Sequence, residues 1–311
     1  MSIRVRFWGV RGSVPCPGPK TVKYGGNTSC LELRFGEENR LVVIDAGTGI
    51  RELAGHVMKT DLPKGPIKTE LFLTHTHWDH IMGYPFFIPL FIPTTELTVY
   101  GPVTFEDDPL EKIFGDMLQY RYWPVRQEEL AAKIKYEELK ERSMDLGDGL
   151  WVTTKYLNHP VLVLGYRFEY RGKVFCTAYD TEPFRNLFDV SPDDPSYDAE
   201  AVKEGALAAA EENDKVAEFF RGADILIHDT QYTHGEYINP KSSKLGWGHS
   251  SFEHAVNVAH KAGVKKLLLF HHDPDRSDDE LDLIERKIRK SIAGKSPVQV
   301  MVAREGLTVE A

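Results

Sequence analysis

Leu71-Phe-Leu-Thr-His75-Thr-His77-Trp-Asp79-His80 sets four potential metal ligands within six residues, directly behind an apolar run. Imidazole and carboxylate are the side chains that hold a borderline ion such as zinc at neutral pH. As the chain leaves an extended strand, alternation puts His75 and His77 on the same side. Asp79 and His80 follow in a turn that can face a second ion. One His-x-His pair would carry little weight, whereas His-x-His-x-Asp-His behind a β-rich run is a specific pattern.

Outward from that stretch, Leu41-Val-Val-Ile-Asp45-Ala-Gly-Thr-Gly49 reads as a buried strand ending in Asp and a glycine turn. Downstream come Asn158-His159-Pro160, then Lys173-Val-Phe-Cys-Thr-Ala-Tyr-Asp180-Thr181, a strand ending in Asp. Lys266-Leu-Leu-Leu-Phe-His271-His272-Asp-Pro274 is an apolar strand ending in histidine. In this order the five motifs resemble the signature of the metallo-β-lactamase superfamily, over nearly the whole chain.

The resemblance implies an α/β fold, a four-layer αββα sandwich with helical insertions. It implies that His75, His77 and His159 bind one divalent ion, that Asp79, His80 and His271 bind a second, and that Asp180 bridges both. Zinc is the first expectation for the two metal ions, with manganese or iron as alternatives. Asp45 would support the metal loop without binding metal. Spacing leaves adjacent His271 and His272 open as the last ligand; His271 is favoured because it continues the strand, with His272 behind it. Asp79 and His249 are the expected catalytic residues.

Two such ions lower the pKa of a water toward about 7, giving hydroxide at cellular pH, and neutralise charge developing on a phosphoryl or acyl oxygen. Gly246-Trp-Gly-His249-Ser250-Ser251, ahead of a helix at Phe252, resembles the Gly-His-Ser motif of the RNase Z and cyclic-phosphodiesterase branch. There the histidine contacts the scissile phosphate and assists the leaving oxygen, a useful role because phosphodiester cleavage expels an alkoxide. Asp229, in Ile225-Leu-Ile-His228-Asp229-Thr230, is expected to orient His249. Glycine turns at Trp8–Ser13 and Tyr24–Ser29 allow close backbone approach to an anion and make Arg11, Ser13 and Asn27 candidate substrate contacts, with His249.

The favoured reading is a dinuclear metal-dependent phosphodiesterase acting on a small or cyclic phosphodiester. The alternative is a thioester, lactone or lactam hydrolase on the same centre. A non-catalytic metal-binding regulatory module is a third reading, opposed by the complete ligand set. Two features argue against a long nucleic acid partner. The formal net charge is -9, and only about twenty residues separate His159 from Asp180, where tRNA-processing RNase Z carries a protruding arm.

The chain of 311 residues, 41% hydrophobic and 27% charged, has the composition of an ordinary soluble globular protein. We expect one domain over 1–311, with insertions at about 102–148 and 181–222. Three scattered cysteines, Cys16, Cys30 and Cys176, suggest no disulfide framework and fit a reducing, cytoplasmic setting. No signal peptide is visible and no apolar run is long enough for a membrane. A homodimer is compatible with the resemblance, although no heptad marks an interface. Tyr120-Arg-Tyr-Trp123 reads as a packed helix end or as a lid over the site.

Overall fold

The structure, a computed structural model, describes residues 2–104 and 108–311. Residues 105–107, inside the first expected insertion, lie outside the described residues. Alternating apolar positions form β1 (Ile3–Gly9), which buries Ile3, Val5 and Phe7 and exposes Arg4. After it come β2 (Cys30–Phe35), β3 (Arg40–Ile44), α1 (Ile50–Thr60), β4 (Lys68–Phe72), α2 (Trp78–Ile81), β5 (Glu96–Pro102), α3 (Leu110–Met117) and β6 (Lys133–Leu139). The second half holds β7 (Ser143–Asp145), β8 (Leu150–Leu157), β9 (Val163–Tyr170), β10 (Lys173–Ala178), α4 (Ala199–Phe219), β11 (Ile225–Asp229), α5 (His234–Tyr237), α6 (Phe252–Lys261), β12 (Lys266–Phe270), α7 (Asp278–Ile292), β13 (Gln299–Val302) and β14 (Thr308–Glu310).

These strands make two seven-stranded sheets, ordered β14-β1-β2-β3-β4-β5-β6 and β13-β12-β11-β10-β9-β8-β7. Three apolar cores separate four layers. Phe7, Phe35, Phe72, Phe168 and Phe175 fill the space between the sheets. Leu53 and Val57 of α1 and Phe114 of α3 cover the outer face of the first sheet. Phe220, Phe252 and Leu281, from α4, α6 and α7 or their ends, cover the second. The αββα sandwich is therefore present. Its helices begin where side-chain chemistry supplies caps: Ser251 accepts from the His254 N–H, and Ser277 forms a reciprocal capping box with Glu280.

Strand direction is what gathers the chemistry. The ladders β3–β4–β5–β6 and β10–β11–β12–β13 are parallel. Strands β1 and β8 are each two antiparallel steps away and so run the same way as their parallel neighbours. The ends of β1, β3, β4, β8, β10, β11 and β12 thus deliver Ser13, Asp45, His75, His159, Asp180, Asp229 and His271 to one edge, where open α/β sheets bind ligands. Cross-links hold the two sheet edges together there. The Gly12 N–H donates to the His272 carbonyl at 3.0 Å, and the Leu164 N–H to that of Thr74 at 2.9 Å.

One element departs from the sequence reading, and one reading left open there is narrowed. The stretch 102–148 supplies β6 and β7, the outermost strand of each sheet, and is built into the sandwich. Its Lys-Ile-Lys-Tyr-Glu-Glu-Leu pattern carries too few apolar residues to stand out, because an edge strand needs only one buried face. The aromatic cluster after α3 is a packed turn. The Trp123 ring lies edge-on to Phe86 at 4.8 Å, and the Tyr120 hydroxyl donates to Glu129 at 3.0 Å.

Phe168 meets Phe35, Phe72 and Phe175 between the sheets. Replacing it with alanine should therefore lower the unfolding free energy by about 3–5 kcal/mol. Urea denaturation would measure this, and a loss below about 1 kcal/mol would contradict the packing described.

Candidate metal centre

Asp180 lies just beyond β10 with its carboxylate buried and its two oxygens turned to different neighbours. Oδ2 is 3.4 Å from His75 Nε2. Oδ1 is 3.2 Å from both His80 Nε2 and His271 Nε2. Around the first oxygen, His75, His77, His159 and Asp180 form one group of ligand atoms, all within 4.8 Å of one another. Asp79, His80, Asp180 and His271 form a second group within the same limit. All seven expected ligands are therefore brought together as two groups that share one carboxylate.

The donor set fits divalent cations. Among the described residues, His75 Nε2, His80 Nε2 and Asp180 Oδ1 are buried with no hydrogen-bond partner, a costly arrangement unless something else satisfies them. Burial keeps His75 and His159 as neutral imidazoles, with the His159 pKa lowered to about 4. Burial also opposes a charge on His80, but Asp180, Asp79 and Asp45 outweigh it and push its pKa well up. A proton on His80 thus offsets negative charge that a cation would neutralise.

The supporting contacts are specific. Asp45 Oδ2 accepts from His80 Nδ1 at 2.7 Å, and Asp45 Oδ1 accepts from the Thr74 N–H at 2.8 Å. This aims His80 Nε2 at the group and closes the loop after β4. The Ser13 N–H donates to Asp79 Oδ2 at 2.7 Å. Ser13, Asp45, Asp180 and His271 all have positive φ (64°, 59°, 26° and 60°). Left-handed backbone costs an L-residue roughly 1–2 kcal/mol, so the packing at this edge over-determines an unfavourable conformation.

The adjacent histidines separate cleanly. His271 enters the second group, whereas His272 Nε2 meets the Ala303 carbonyl at 2.8 Å and its ring packs edge-on to Tyr24. His272 contributes through its main chain, which anchors Gly12. A Cβ on Gly12 would come within 2.2 Å of the His271 ring, so only glycine allows that approach.

Beside the second group stand His249 and Asp229. His249 Nδ1 donates to Asp229 Oδ2 at 2.9 Å, and its ring stacks on His271 with centroids 5.0 Å apart. Burial alone would lower the His249 pKa, but Asp229 outweighs it and pushes it up to about 9. The loop that carries His249 is braced by Glu182, which the sequence reading missed. Its buried carboxylate accepts from the Gly246 N–H at 2.9 Å and the Tyr237 hydroxyl at 2.8 Å. Its place two residues after Asp180 is the only signal the sequence offers.

Two expected substrate contacts are corrected. The Arg11 side chain is fully buried and donates to the carbonyls of Gly25, Asp273 and Arg276 at 2.8, 3.1 and 2.7 Å. Asn27 donates to Glu305 through its N–H and Nδ2, while its Oδ1 accepts from the Thr48 hydroxyl. Both side chains tie loops together. The nearby glycines serve the same purpose, since a Cβ on Gly25 would strike Glu305 and one on Gly26 would strike Pro17. Ser13 does lie exposed at the centre.

No family model matches the chain. It is similar to the ribonuclease Z of Lactococcus lactis, at 29% identity over 79% of this chain and 83% of that protein. It is also similar to that of Thermoplasma acidophilum, at 27% identity over 89% and 88%. Among solved structures it resembles the metallo-β-lactamase fold protein YhfI of Bacillus subtilis, with a TM-score of 0.65 and 17% identity over 100% of this chain and 99% of that one. The short form of human tRNase Z superposes with a TM-score of 0.59 at 18% identity, over 98% of each chain. The fold is that of the metallo-β-lactamase proteins.

These relatives overturn one expectation, the argument against a long nucleic acid. Proteins named ribonuclease act on RNA, and the acidic net charge is a whole-surface average that says little about one mouth. There Lys244 sets its ammonium 3.8 Å over the Trp247 ring, two residues from His249. Among the described residues, no helix is long and apolar enough to cross a membrane.

Replacing Asp45 with Asn should lower zinc affinity about 10- to 100-fold, because His80 loses its charged orienting partner. Competition with a chromophoric chelator would measure this; unchanged affinity would show that the Asp45–His80 contact does not serve metal binding.

Proposed function

We propose that this protein of the metallo-β-lactamase fold, a metal-dependent hydrolase, cleaves phosphodiester bonds at a two-ion centre and that RNA is its substrate class. The observation that carries the proposal is the His249–Asp229 pair, with its 2.9 Å contact, set against the second ligand group. Acyl transfer from a thioester has little need of a proton donor at the leaving group, whereas an alkoxide leaving from phosphorus does. The sequence relatives named ribonuclease Z support the same class.

In this reading His75, His77, His159 and Asp180 hold one ion, and Asp79, His80, Asp180 and His271 the other. When bound, two divalent ions supply Lewis acidity toward the phosphoryl oxygens and lower the pKa of a water. The chain's own residues do the rest. Asp45 and the Ser13 N–H fix His80 and Asp79, so the second group is preorganised. Asp229 occupies Nδ1 of His249 and leaves Nε2 as the nitrogen that can donate. As the P–O bond breaks and water oxygen joins phosphorus, that proton passes to the departing oxygen. Glu182 keeps the His249 loop in place through Gly246.

A small or cyclic diester is the second reading, favoured by the tight β9–β10 hairpin. Tyr170 and Lys173 pair across Arg171-Gly172, so the span between His159 and Asp180 is a short hairpin. Zinc- or manganese-loaded protein should hydrolyse both bis(p-nitrophenyl) phosphate and oligoribonucleotides, and chelation should abolish both reactions. Replacing His249 with Ala should slow RNA cleavage by roughly 100- to 10,000-fold. The same change should matter far less for p-nitrophenolate, which departs without a proton. Equal losses on the two substrates would remove His249 from the donor role, and turnover of thioesters or lactams alone would sink the proposal.

A further inference from the structure

Two large aromatic rings stand in solvent on the segments that carry His77, Asp79 and His249, and the proton transfer and ion binding give neither a role. Trp78 is 66% exposed and Trp247 is 55% exposed. Indole buries a large apolar area when it packs, so leaving two of them at the mouth of a site forgoes stabilisation the core could have used. Their placement is tied to the ligands by a short path. Trp78 sits between His77 and Asp79 at the start of α2. His77 Nδ1 lies 3.2 Å from His159 Nε2, and His159 Nδ1 donates to the Gly248 carbonyl at 2.9 Å. Trp247 directly precedes Gly248. The backbone segments that carry the two tryptophans therefore meet at the exposed His77–His159 pair, one from α2 and the other from the His249 loop.

The second ring is also held and charged. Lys244 Nζ lies 3.8 Å over one face of Trp247 and 5.6 Å from the Tyr232 ring, a cation–π arrangement that steadies the indole. Among the described residues no carboxylate pairs with this ammonium, so its charge is left to the ring and to solvent. The close fit of the loop leaves little freedom: a Cβ on Gly248 would come within 2.2 Å of His159. An aromatic ring with a cation at its side, next to a phosphate-cleaving centre, matches what single-stranded nucleic acid offers, namely flat bases joined by phosphates.

We infer that Trp78 and Trp247 stack on unpaired bases flanking the scissile phosphate, with Lys244 meeting the backbone, so that the substrate enters as a single strand. This rests on the phosphodiesterase reading and names its substrate more closely. A duplex leaves open only the outer face of its last pair, so it cannot offer two separate unpaired bases on either side of one phosphate. A diester without bases gains nothing from them.

The test uses zinc-loaded protein and a phosphorothioate-linked oligoribonucleotide, which resists cleavage, followed by tryptophan fluorescence quenching. An abasic oligomer of equal length and a blunt duplex serve as comparisons. The single strand should quench strongly and bind best. Trp247→Ala and Trp78→Ala should each weaken its binding roughly 5- to 150-fold, the range for one base–aromatic stack. Trp247→Phe should recover most of the loss, and both alanine variants should leave abasic binding unchanged. Trp151→Ala is the control, because Trp151 is exposed at the far end of β8 from His159. If Trp247→Ala binds the single strand as tightly as wild type, or if abasic and base-containing strands bind alike, the inference is overturned. Turnover of bis(p-nitrophenyl) phosphate is measured alongside. Intact turnover with no tryptophan-dependent binding refutes the stacking alone, whereas tryptophan-dependent binding without any diester cleavage refutes the phosphodiesterase reading alone.

Discussion

The Asp180 carboxylate is the constraint on which the rest of the centre depends. One oxygen faces His75 and the other faces His80 and His271, so this single side chain fixes the separation of two ligand groups. Burying an ionised carboxylate is costly, yet the surrounding histidines hold its pKa well down against that burial. Its backbone φ of 26° is itself unfavourable, and it persists because the strands on either side leave no alternative. Thr181 continues the lock. Its N–H donates to Asp229, and its carbonyl accepts from the Ser250 hydroxyl at 2.6 Å. One turn after β10 thereby positions both the shared ligand and the loop of the proton donor.

Strand polarity explains how distant parts of the chain meet. Parallel ladders place the ends of β3, β4, β10, β11 and β12 on one edge, and two antiparallel steps bring β1 and β8 to it as well. The chain builds the first sheet, crosses at β6 and β7 to build the second, and returns through β14 to pair with β1. The inter-sheet aromatic core makes the two edges rigid with respect to each other. Geometry at the centre is then a property of the whole sandwich rather than of flexible loops.

Much of this is legible in the sequence. His75, His77, Asp79, His80, His159, Asp180 and His271 stand out because each follows an apolar strand or sits in a motif, and water-seeking side chains at strand ends are informative. The choice of His271 over His272 rests on strand continuity, and the structure brings His271 rather than His272 into the second group. Arg11 and Asn27 were misread because a glycine-flanked polar residue looks the same whether it reaches out to an anion or inward to a carbonyl; only the buried partners Gly25, Asp273 and Glu305 decide. Glu182 was invisible because its partners, Gly246 and Tyr237, lie far along the chain. The edge strand β6 was missed because its residues are mostly solvated. The argument from net charge failed for a different reason, since a sum over 311 residues carries no information about where Lys244 and two tryptophans are placed.

The central claim is that two cations sit either side of Asp180. Anomalous diffraction at the zinc absorption edge, from crystals grown with zinc, tests it most directly. The account predicts two peaks roughly 3.5–4 Å apart, one among His75, His77 and His159, the other among Asp79, His80 and His271, each in contact with Asp180. A single peak, or two peaks of which one is held by His272 or lacks Asp180, would contradict it.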